Sequence, residues 1–419
     1  MSTPLSRPSY AAVLRVPHAR RTFTAALTAR LSYGMVSLAV LLSVTHATGS
    51  YAVSGTVLSL FGATTVFLMP LRAKLIDRHG PRRALPPMSA LYGALLSVLA
   101  VLTWRPGAPA AAIGLTAALA GSCAPPLGPT MRALWSELVT DRDLLQRAYS
   151  LDGVAEELLY VSGPALIATL GGFAPPAAGI LLSAALNVGG TCAFVTSPTM
   201  AAQRPAPRKE GSAGVRPAGE GAALVRGLLP SVVVALGAGL ALSAVELLVM
   251  AFATERSYDP ALVPWVLGAL SAGSALGGLA NGVVRWRTSA RARLCRFGAG
   301  LGLVLAAAGL APGLWTLTAA MACAGAFIAP ALTTAYLLAD ESAPESARTQ
   351  AGAWVNMAVN TGSSGGAMAA GLLIGRLPLP LCFTLAGGTA LVAAVAAGSR
   401  VAGAARVGWG RPVWGRHPH

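Results

Sequence analysis

Apolar stretches of about twenty residues recur along the chain, and short segments rich in charged residues, Pro or Gly separate them. A helix of about twenty residues crosses a hydrocarbon core of roughly 30 Å, where its backbone is satisfied only by hydrogen bonds within the segment. Each stretch therefore predicts a membrane-spanning helix. The stretches lie near residues 22–44, 51–71, 85–104, 109–131, 148–171, 176–197, 227–252, 262–284, 297–311, 314–338, 349–374 and 379–399.

The composition agrees with this pattern. Of 419 residues, 54% are hydrophobic and only 11% are charged, whereas a soluble protein of this length needs more charge to cover its surface. The formal net charge of +16 would suit a nucleic-acid partner, but the basic residues are confined to short segments between apolar stretches, as membrane topology requires. We therefore expect an all-α integral membrane protein in contact with a lipid bilayer, and no nucleic-acid partner.

The basic residues also predict an orientation. All but four of the 31 Lys and Arg residues lie before the first helix, after the last, or in alternate connecting segments; the exceptions are Arg30, Arg105, Arg256 and Arg376. Because Lys and Arg accumulate on the cytoplasmic side, both termini are predicted to be cytoplasmic. The predominance of Arg over Lys, together with abundant Ala and Gly, indicates a GC-rich genome, so we expect the plasma membrane of a bacterium.

A polar stretch rich in Pro and Gly divides the chain into halves of six helices each. We expect an N-terminal bundle (1–198), a flexible cytoplasmic linker (199–225) and a C-terminal bundle (226–419) that ends in a basic tail. The fourth helix of each half carries the same residue types at the same spacing: Gly121, Pro126 and Thr130 in the first, Gly325, Pro330 and Thr334 in the second. A parallel repeat of six-helix bundles is typical of secondary transporters with a binding site between the halves.

The segment LIDRHGPRRAL (75–85) concentrates charge between the second and third helices. It resembles the loop signature of the major facilitator superfamily, roughly G-x-L-x-D-R-x-G-R-R-x-x-L, although Ala73 replaces the first Gly and Pro81 a basic residue. The resemblance implies the twelve-helix fold of that family and a gate at this turn. Its predicted gating residues are Asp77, Arg78, Gly80, Arg82 and Arg83. The alternative is an ordinary basic loop that only sets topology.

The equivalent turn of the second half, GVVRWRTSARARL (282–294), keeps Gly282, Leu294 and several basic residues. It has Trp286 in the place of the acid. This difference predicts an asymmetric gate that depends more on the N-terminal half.

Helix 5 carries three acidic residues inside an apolar stretch: Asp152, Glu156 and Glu157. Asp152, Glu156 and Tyr160 are spaced four residues apart and therefore lie on one face of the helix. Ionisable groups inside a membrane are costly and point to a transport function, so this face is predicted to line the substrate cavity. The alternatives are an interfacial Asp152 and acids paired with Arg30 or with a loop arginine.

Two further charged residues fall inside predicted helices, Arg30 in the first and Glu246 in the seventh. Both are candidates for the cavity or for proton coupling, although Arg30 is near enough to the helix end to reach the inner surface. Drug:proton antiporters of the family carry an arginine in helix 4, but residues 110–131 contain no charge. We therefore expect the acids of helix 5 to lack such a partner, and Glu156 to carry the proton.

Gly163 and Pro164 resemble the glycine-proline motif in helix 5 of the twelve-helix drug:proton antiporters, although the paired Gly that follows in that group is missing. The resemblance implies export. Packing alone also explains Gly and Pro in membrane helices.

The leading hypothesis is a secondary-active transporter, functional as a monomer, that expels a small amphipathic compound or drug in exchange for protons. A nutrient or metabolite importer of the same fold is the alternative. A membrane-bound transferase is a distant third, because the five His and five Cys are dispersed without catalytic or metal-binding spacing. We expect no enzyme activity, no metal and no cofactor, and the chain has no nucleotide-binding G-x-x-x-x-G-K-[ST] motif.

Overall fold

The computed structural model describes residues 10–202 and 218–407, and its regular elements are helices. They are α1 (Tyr10–Arg15), α2 (Ala19–Thr48), α3 (Tyr51–Phe67), α4 (Met69–His79), α5 (Pro81–Thr103), α6 (Ala110–Cys123), α7 (Leu127–Leu138), α8 (Arg142–Leu170), α9 (Pro176–Val195), α10 (Pro198–Ala202), α11 (Ala218–Glu255), α12 (Val263–Val283), α13 (Ala290–Ala308), α14 (Leu314–Ser342), α15 (Arg348–Leu373) and α16 (Leu379–Val407), besides two short 3₁₀ turns.

The predicted all-α membrane fold is confirmed. Within the described residues, eight helical segments are long and apolar enough to cross a membrane, and α6 with α7 counts as one of them. The pair α3 and α4, bent by 41°, makes a ninth. The long helices α8, α13 and α15, which contain more polar residues, bring the number of long segments to the twelve that the sequence predicts. The short helix α1 was not predicted.

Two of the predicted helices are broken and extend further than expected. Span two continues past residue 71 as α4, and span four continues past residue 131 as α7. The break between α6 and α7 contains Pro125 and Pro126, which have no backbone N–H to continue the helical hydrogen bonds. The helix restarts at Leu127 and carries Arg132 inside the span.

Arg72, which the sequence pattern assigns to the loop, is buried in α4. Its guanidinium donates hydrogen bonds to Gly121 O (2.7 Å) and to Thr65 O. These carbonyls lie at the end of α6 and near the end of α3, where helix breaks interrupt the regular helical hydrogen bonds to backbone oxygens. Arg72 therefore stabilises both breaks.

Only the ends of the predicted linker 199–225 lie in the described part of the chain. There α10 continues to Ala202 and α11 begins at Ala218, so both ends are helical. Residues 203–217 lie outside the described residues.

The repeated residues of helix 4 and helix 10 perform the same packing role in each half. A Cβ atom at Gly121 would overlap Phe61 O of α3, and one at Gly325 would overlap Leu270 O of α12. Thr130 and Thr334 both donate to the carbonyl of the proline four residues earlier. Small residues allow helices to approach this closely.

The two halves meet at one end of the bundle, which we call the basic end and define by its turns at Gly80, 139–141, 284–289 and 343–347. One buried apolar cluster there contains residues of both halves, whereas the two other clusters are each confined to one half. Among the described residues, the hydrogen bonds and ion pairs between the halves lie at the basic end or at mid-depth.

Candidate functional site

A cavity of about 280 Å³ lies at mid-depth between the two halves. The N-terminal half supplies most of its wall, from α2, α3, α5, α7 and α8, and the C-terminal half adds residues of α15. Its lining combines aromatic, amide and charged side chains: Tyr33, Phe61, Tyr92, Tyr160, Asn356, Asn360, Arg30 and Glu156. This mixture of apolar walls and a few polar groups is typical of small-molecule sites.

Four charged residues form a cluster at the edge of this cavity. Arg30 Nη1 lies 2.6 Å from Asp152 Oδ1, and Arg30 Nη2 lies 3.1 Å from Glu156 Oε2. Arg132 Nε lies 2.9 Å from Asp152 Oδ2, and Arg132 Nη2 also pairs with Glu156 Oε2. The side chain of Asp152 is fully buried and that of Glu156 is 23% exposed. The cluster is therefore charge-balanced, and Glu156 faces the cavity.

The structure corrects the expectation that no arginine of the fourth helix reaches the acids of helix 5. The predicted boundary at residue 131 excluded Arg132, but α7 extends to Leu138. The apolar residues that follow Arg132, in ALW (133–135), were the signal that the span continues. Asp152 is not interfacial either, because it is buried between two guanidinium groups.

We expect the cluster to be sensitive to the loss of any one member. Removing one partner of a buried ion pair costs roughly 3–5 kcal/mol, because it leaves the other charge uncompensated. Each arginine here touches both acids, so the helices α2, α7 and α8 are tied together by one network. We infer that this network fixes the relative positions of these helices beside the cavity.

Arg132 also connects the cluster with the C-terminal half. Its guanidinium carbon lies 3.9 Å from the centre of the Tyr336 ring in α14. Asn356 Nδ2 donates to Tyr336 Oη (3.4 Å), and Asn360 Nδ2 donates to Asn356 Oδ1 (2.9 Å). Polar groups thus continue from the N-terminal cluster to the amides on the other side of the cavity.

Sequence reasoning missed Tyr336 and Asn356 because neither is charged. The available signal was weak: two Asn side chains lie four residues apart in α15, within the stretch predicted to span the membrane. Polar side chains in membrane helices commonly form hydrogen bonds with neighbouring helices.

Glu157 and Glu246 lie apart from the cluster. Ser274 Oγ of α12 donates to Glu157 Oε1, while Glu157 Oε2 is buried and has no hydrogen-bond partner in the described residues. Glu246 is exposed, and in the described part of the chain no hydrogen bond or ion pair involves it. Tyr160 lines the cavity with Glu156 and is 56% exposed.

The glycine of the helix 5 motif is in a close helix contact. A Cβ at Gly163 would lie 2.8 Å from Gly34 Cα of α2 and nearer still to the Gly34 carbonyl group. Gly163 therefore permits the approach of α8 to α2, and Pro164 lies inside α8. This geometry favours the packing explanation of the motif.

The predicted gating turn makes a contact between the halves through its acid. Asp77 accepts hydrogen bonds from the backbone amides of Thr349 (3.2 Å to Oδ1) and Gln350 (2.9 Å to Oδ2). These amides lie in the first turn of α15, where unpaired N–H groups and the helix dipole favour an anion.

The other gating residues have different surroundings. Gly80 has a φ of 80°, which a residue with a side chain rarely adopts. Arg78, Arg82 and Arg83 are exposed.

Comparisons with known proteins agree with this architecture. The sequence model of the Major Facilitator Superfamily matches residues 22–310 and 247–406. No curated protein sequence matches the chain significantly.

Solved structures with a similar fold include three transporters. A bacterial homologue of the iron transporter ferroportin, in an outward-facing state, is 14% identical with a TM-score of 0.70, covering 92% of this chain and 99% of its own. The E. coli fucose:proton symporter FucP is 14% identical with a TM-score of 0.68, covering 92% and 98%. The human organic anion transporter MFSD10 (TETRAN) is 16% identical with a TM-score of 0.67, covering 91% and 99%. At these identities the likeness extends to the fold alone.

Proposed function

The chain belongs to the Major Facilitator Superfamily, and from this premise we propose that it is a secondary-active transporter that expels a small amphipathic compound in exchange for protons. The observation that carries the proposal is the charge-balanced cluster of Arg30, Arg132, Asp152 and Glu156 beside a cavity shared by both halves. Ionisable groups inside membrane helices are costly and mark transport pathways.

The cavity lining supports an amphipathic substrate. Tyr33, Phe61 and Tyr160 offer apolar ring surface, and Asn360 and Glu156 offer polar contacts. This combination of ring surface and polar groups favours an amphipathic compound over a sugar or phosphate. Alternating access would then expose the cavity on either side as the two halves rock against each other.

Glu157 is the acid that we propose to carry the proton. The ionised form of Glu156 is stabilised by Arg30 and Arg132, so the earlier reason to favour Glu156 no longer holds. Glu157 instead accepts a hydrogen bond from Ser274, a residue of the other half. A proton on Glu157 would add a donor to this contact and thereby change an interaction between the halves.

The test uses proteoliposomes and a transported dye. Glu157→Gln is expected to retain exchange of the dye across the membrane but to lose accumulation driven by a pH gradient, because the variant cannot release a proton. Glu246→Gln is the matched control, since it removes an acid without a partner in the described residues. Gradient-driven accumulation by Glu157→Gln would exclude this residue as the proton carrier.

The direction of transport needs a separate measurement. A panel of dyes and antibiotics is compared in cells with and without the protein, and export predicts lower accumulation of a substrate when the protein is present. Higher accumulation would support the alternative of an importer.

Orientation is tested by labelling single cysteines in a cysteine-free background. Arg287 lies at the basic end, which we propose to be cytoplasmic, and Arg105 lies in a turn at the opposite end. We expect Arg105→Cys to react with an impermeant reagent in intact cells and Arg287→Cys to react only after permeabilisation. The reverse pattern would invert the proposed topology.

A further inference from the structure

The short helix α1 lies across the junction of the two halves at the basic end. It contacts α2 and α8, which both belong to the N-terminal half. Its Tyr10 side chain reaches α12 of the other half, where the hydroxyl donates a hydrogen bond to Leu279 O at 2.6 Å. α1 therefore adds a contact between the halves that does not come from the twelve long segments.

The place that receives the Tyr10 ring is fitted to it. A Cβ atom on Gly282 of α12 would overlap the Tyr10 hydroxyl and would lie 2.8 Å from the ring carbon that bears it. Ser150 of α8 borders the same point, with its Cβ 3.3 Å from that position. The phenol thus occupies a gap between α8 and α12, and the absence of a side chain on Gly282 keeps this gap open.

The remainder of α1 is anchored to the protein by one buried face. Val13 is fully buried, in the apolar cluster that contains residues of both halves, and Leu14 and Val16 pack against this cluster. Leu14 O also accepts a hydrogen bond from Arg20 Nε at 3.0 Å, which ties the end of α1 to the first turn of α2. α1 is therefore held in place by packing and hydrogen bonding as well as by its connection to α2.

These attachments differ in how they respond to a movement of the halves. When the halves rock apart at the basic end, α12 moves away from α8. Because α1 is continuous with α2 and tied to it, it stays with the N-terminal half, and the hydrogen bond from Tyr10 to Leu279 O must break. The contact therefore favours the arrangement in which α8 and α12 lie together.

We propose that α1 is an inhibitory strap, which opposes the opening of the basic end and has to release α12 once in every transport cycle. This inference rests on the proposed transport function and specifies how that function is regulated. Any change that frees α1 from α12 raises the fraction of protein that is open at the basic end.

The first test removes only the donor. Tyr10→Phe keeps the ring, so the loss of about one net hydrogen bond should give roughly fivefold faster thiol labelling of Ala347→Cys in purified, otherwise cysteine-free protein. Ala347 is 1% exposed and precedes α15. It lies beside the contact of Asp77 with α15, so its labelling reports opening of the whole end instead of the uncovering of residues beneath α1.

Tyr51→Phe is the matched control for this variant, because it removes a hydroxyl from a side chain that is 79% exposed at the opposite end. It should label at the rate of the parent protein. Unchanged labelling of Ala347→Cys in the Tyr10→Phe variant would show that α1 is only a local cover and would overturn the proposal.

The second test detaches the whole helix. Val13→Asp places a charge in the apolar cluster, which is costly, so α1 should leave its site and labelling of Ala347→Cys should rise at least as much as in Tyr10→Phe. Ala11→Asp is the matched control, since it adds the same charge at an exposed position of α1. Equal labelling of these two aspartate variants would contradict the strap.

The third test asks whether release is needed for transport. Tyr10→Cys and Gly282→Cys, joined by a reducible bifunctional thiol reagent, should stop transport of the dye in proteoliposomes, and reduction should restore it. Each single-cysteine variant, treated in the same way, should remain active. Continued transport by the cross-linked protein would overturn the requirement for release. Failure of the transport proposal is recognised separately, by a dye panel unaffected by the protein while the labelling differences persist.

Discussion

The turn at Gly80 and the turn at 284–289 occupy equivalent places in the two halves, but each joins the halves at the basic end by a different kind of contact. At the first turn, the carboxylate of Asp77 in α4 accepts hydrogen bonds from backbone amides at the start of α15. The side chain is the acceptor, and the helix terminus of the other half is the donor. We call this contact the acid seal.

At the second turn the roles are reversed. Backbone carbonyls at the end of α12 accept hydrogen bonds from side chains of α8: Gln146 Nε2 donates to Asn281 O, and Arg147 Nη2 donates to Val283 O (3.4 Å). Arg293 donates to Gln146 Oε1. Trp286, which stands where the acid would be, donates to Asn281 Oδ1 (3.0 Å). We call this contact the amide seal.

The two halves are therefore joined at the same end by two kinds of contact. The acid seal depends on a single negative charge at a helix N-terminus. The amide seal distributes its hydrogen bonds over several side chains, so the loss of one charge matters less there. An asymmetric gate, which the sequence predicted from Trp286, follows from this arrangement if opening is limited by the acid seal.

Asp77→Asn is the change with the largest expected effect. Hydrogen bonds to a charged acceptor contribute roughly 1.5–3 kcal/mol and those to a neutral acceptor roughly 0.5–1.5 kcal/mol. Asp77 accepts through both oxygens, whereas Asn has one acceptor oxygen and its NH₂ group cannot accept, so the closed state should lose roughly 3 kcal/mol. That corresponds to roughly a hundredfold rise in the open fraction at the basic end, with a strong loss of transport. The measurement is the labelling rate of Ala347→Cys, a position that is 1% exposed beside α15.

The control for this variant is Lys74→Gln, which removes an exposed charge from the same helix. It should leave both labelling and transport unchanged. Normal transport by Asp77→Asn would mean that the LIDRHGPRRAL segment serves only as a topology signal, and that the acid seal does not limit opening.

Gln146→Leu tests the amide seal and should have a smaller effect. It removes the donor to Asn281 O and the acceptor for Arg293, but Arg293 retains its contact with the Trp286 ring at 5.7 Å. We expect a loss of roughly 2 kcal/mol, read as faster labelling of Ser150→Cys, which is 1% exposed at this interface. An effect larger than that of Asp77→Asn would reverse the proposed asymmetry.

Gln146→Glu separates the two contacts of this residue. A carboxylate still accepts from Arg293 but cannot donate to Asn281 O. If the variant behaves like wild type, the contact with Arg293 carries the amide seal; if it behaves like Gln146→Leu, the contact with Asn281 does.

Much of the fold was predictable because membrane helices follow from hydropathy and basic residues alone. The family resemblance also implied a gate at the turn that contains Asp77, and this role stays a prediction. Arg132 was assigned to the wrong segment because the break at Pro125 and Pro126 shifts the fourth span by several residues. When the end of a span is placed at the first charged residue, an arginine in a loop looks the same as an arginine that a broken helix places inside the span.

Other parts of the site depend on tertiary contacts that leave no periodic signal. The ring of Tyr336 covers Arg132 from a helix 204 positions away in the chain, and neither residue predicts the other. Likewise, the apolar run of α1 (YAAVL, 10–14) is too short to predict a membrane helix, so neither α1 nor the insertion of Tyr10 between α8 and α12 was expected.

Gly282→Ala has the smallest expected effect and tests a single contact. Gly282 is the glycine that the second-half turn shares with the family signature. The phenol ring of Tyr10 packs against Gly282. Its hydroxyl, Tyr10 Oη, donates a hydrogen bond to Leu279 O (2.6 Å). A methyl group at this position would overlap the phenol, which lies at the end of a side chain and is able to move. We therefore expect loss of that one hydrogen bond, about 1 kcal/mol, and about a fivefold rise in labelling of Ser150→Cys.

A double-mutant cycle with Tyr10→Ala identifies the cause. In the absence of the phenol, the methyl group of Gly282→Ala meets Ser150 Cβ at 3.3 Å as its next neighbour, a contact that a small shift relieves. The double variant should therefore label no faster than Tyr10→Ala alone, which gives a coupling energy close to the whole effect of Gly282→Ala. Additive effects would show that Gly282 acts through the backbone of α12 instead. In that case the amide seal would not depend on Tyr10. It would consist only of the hydrogen bonds made by side chains of α8 and of the turn at 284–289, and these alone would make it different from the acid seal.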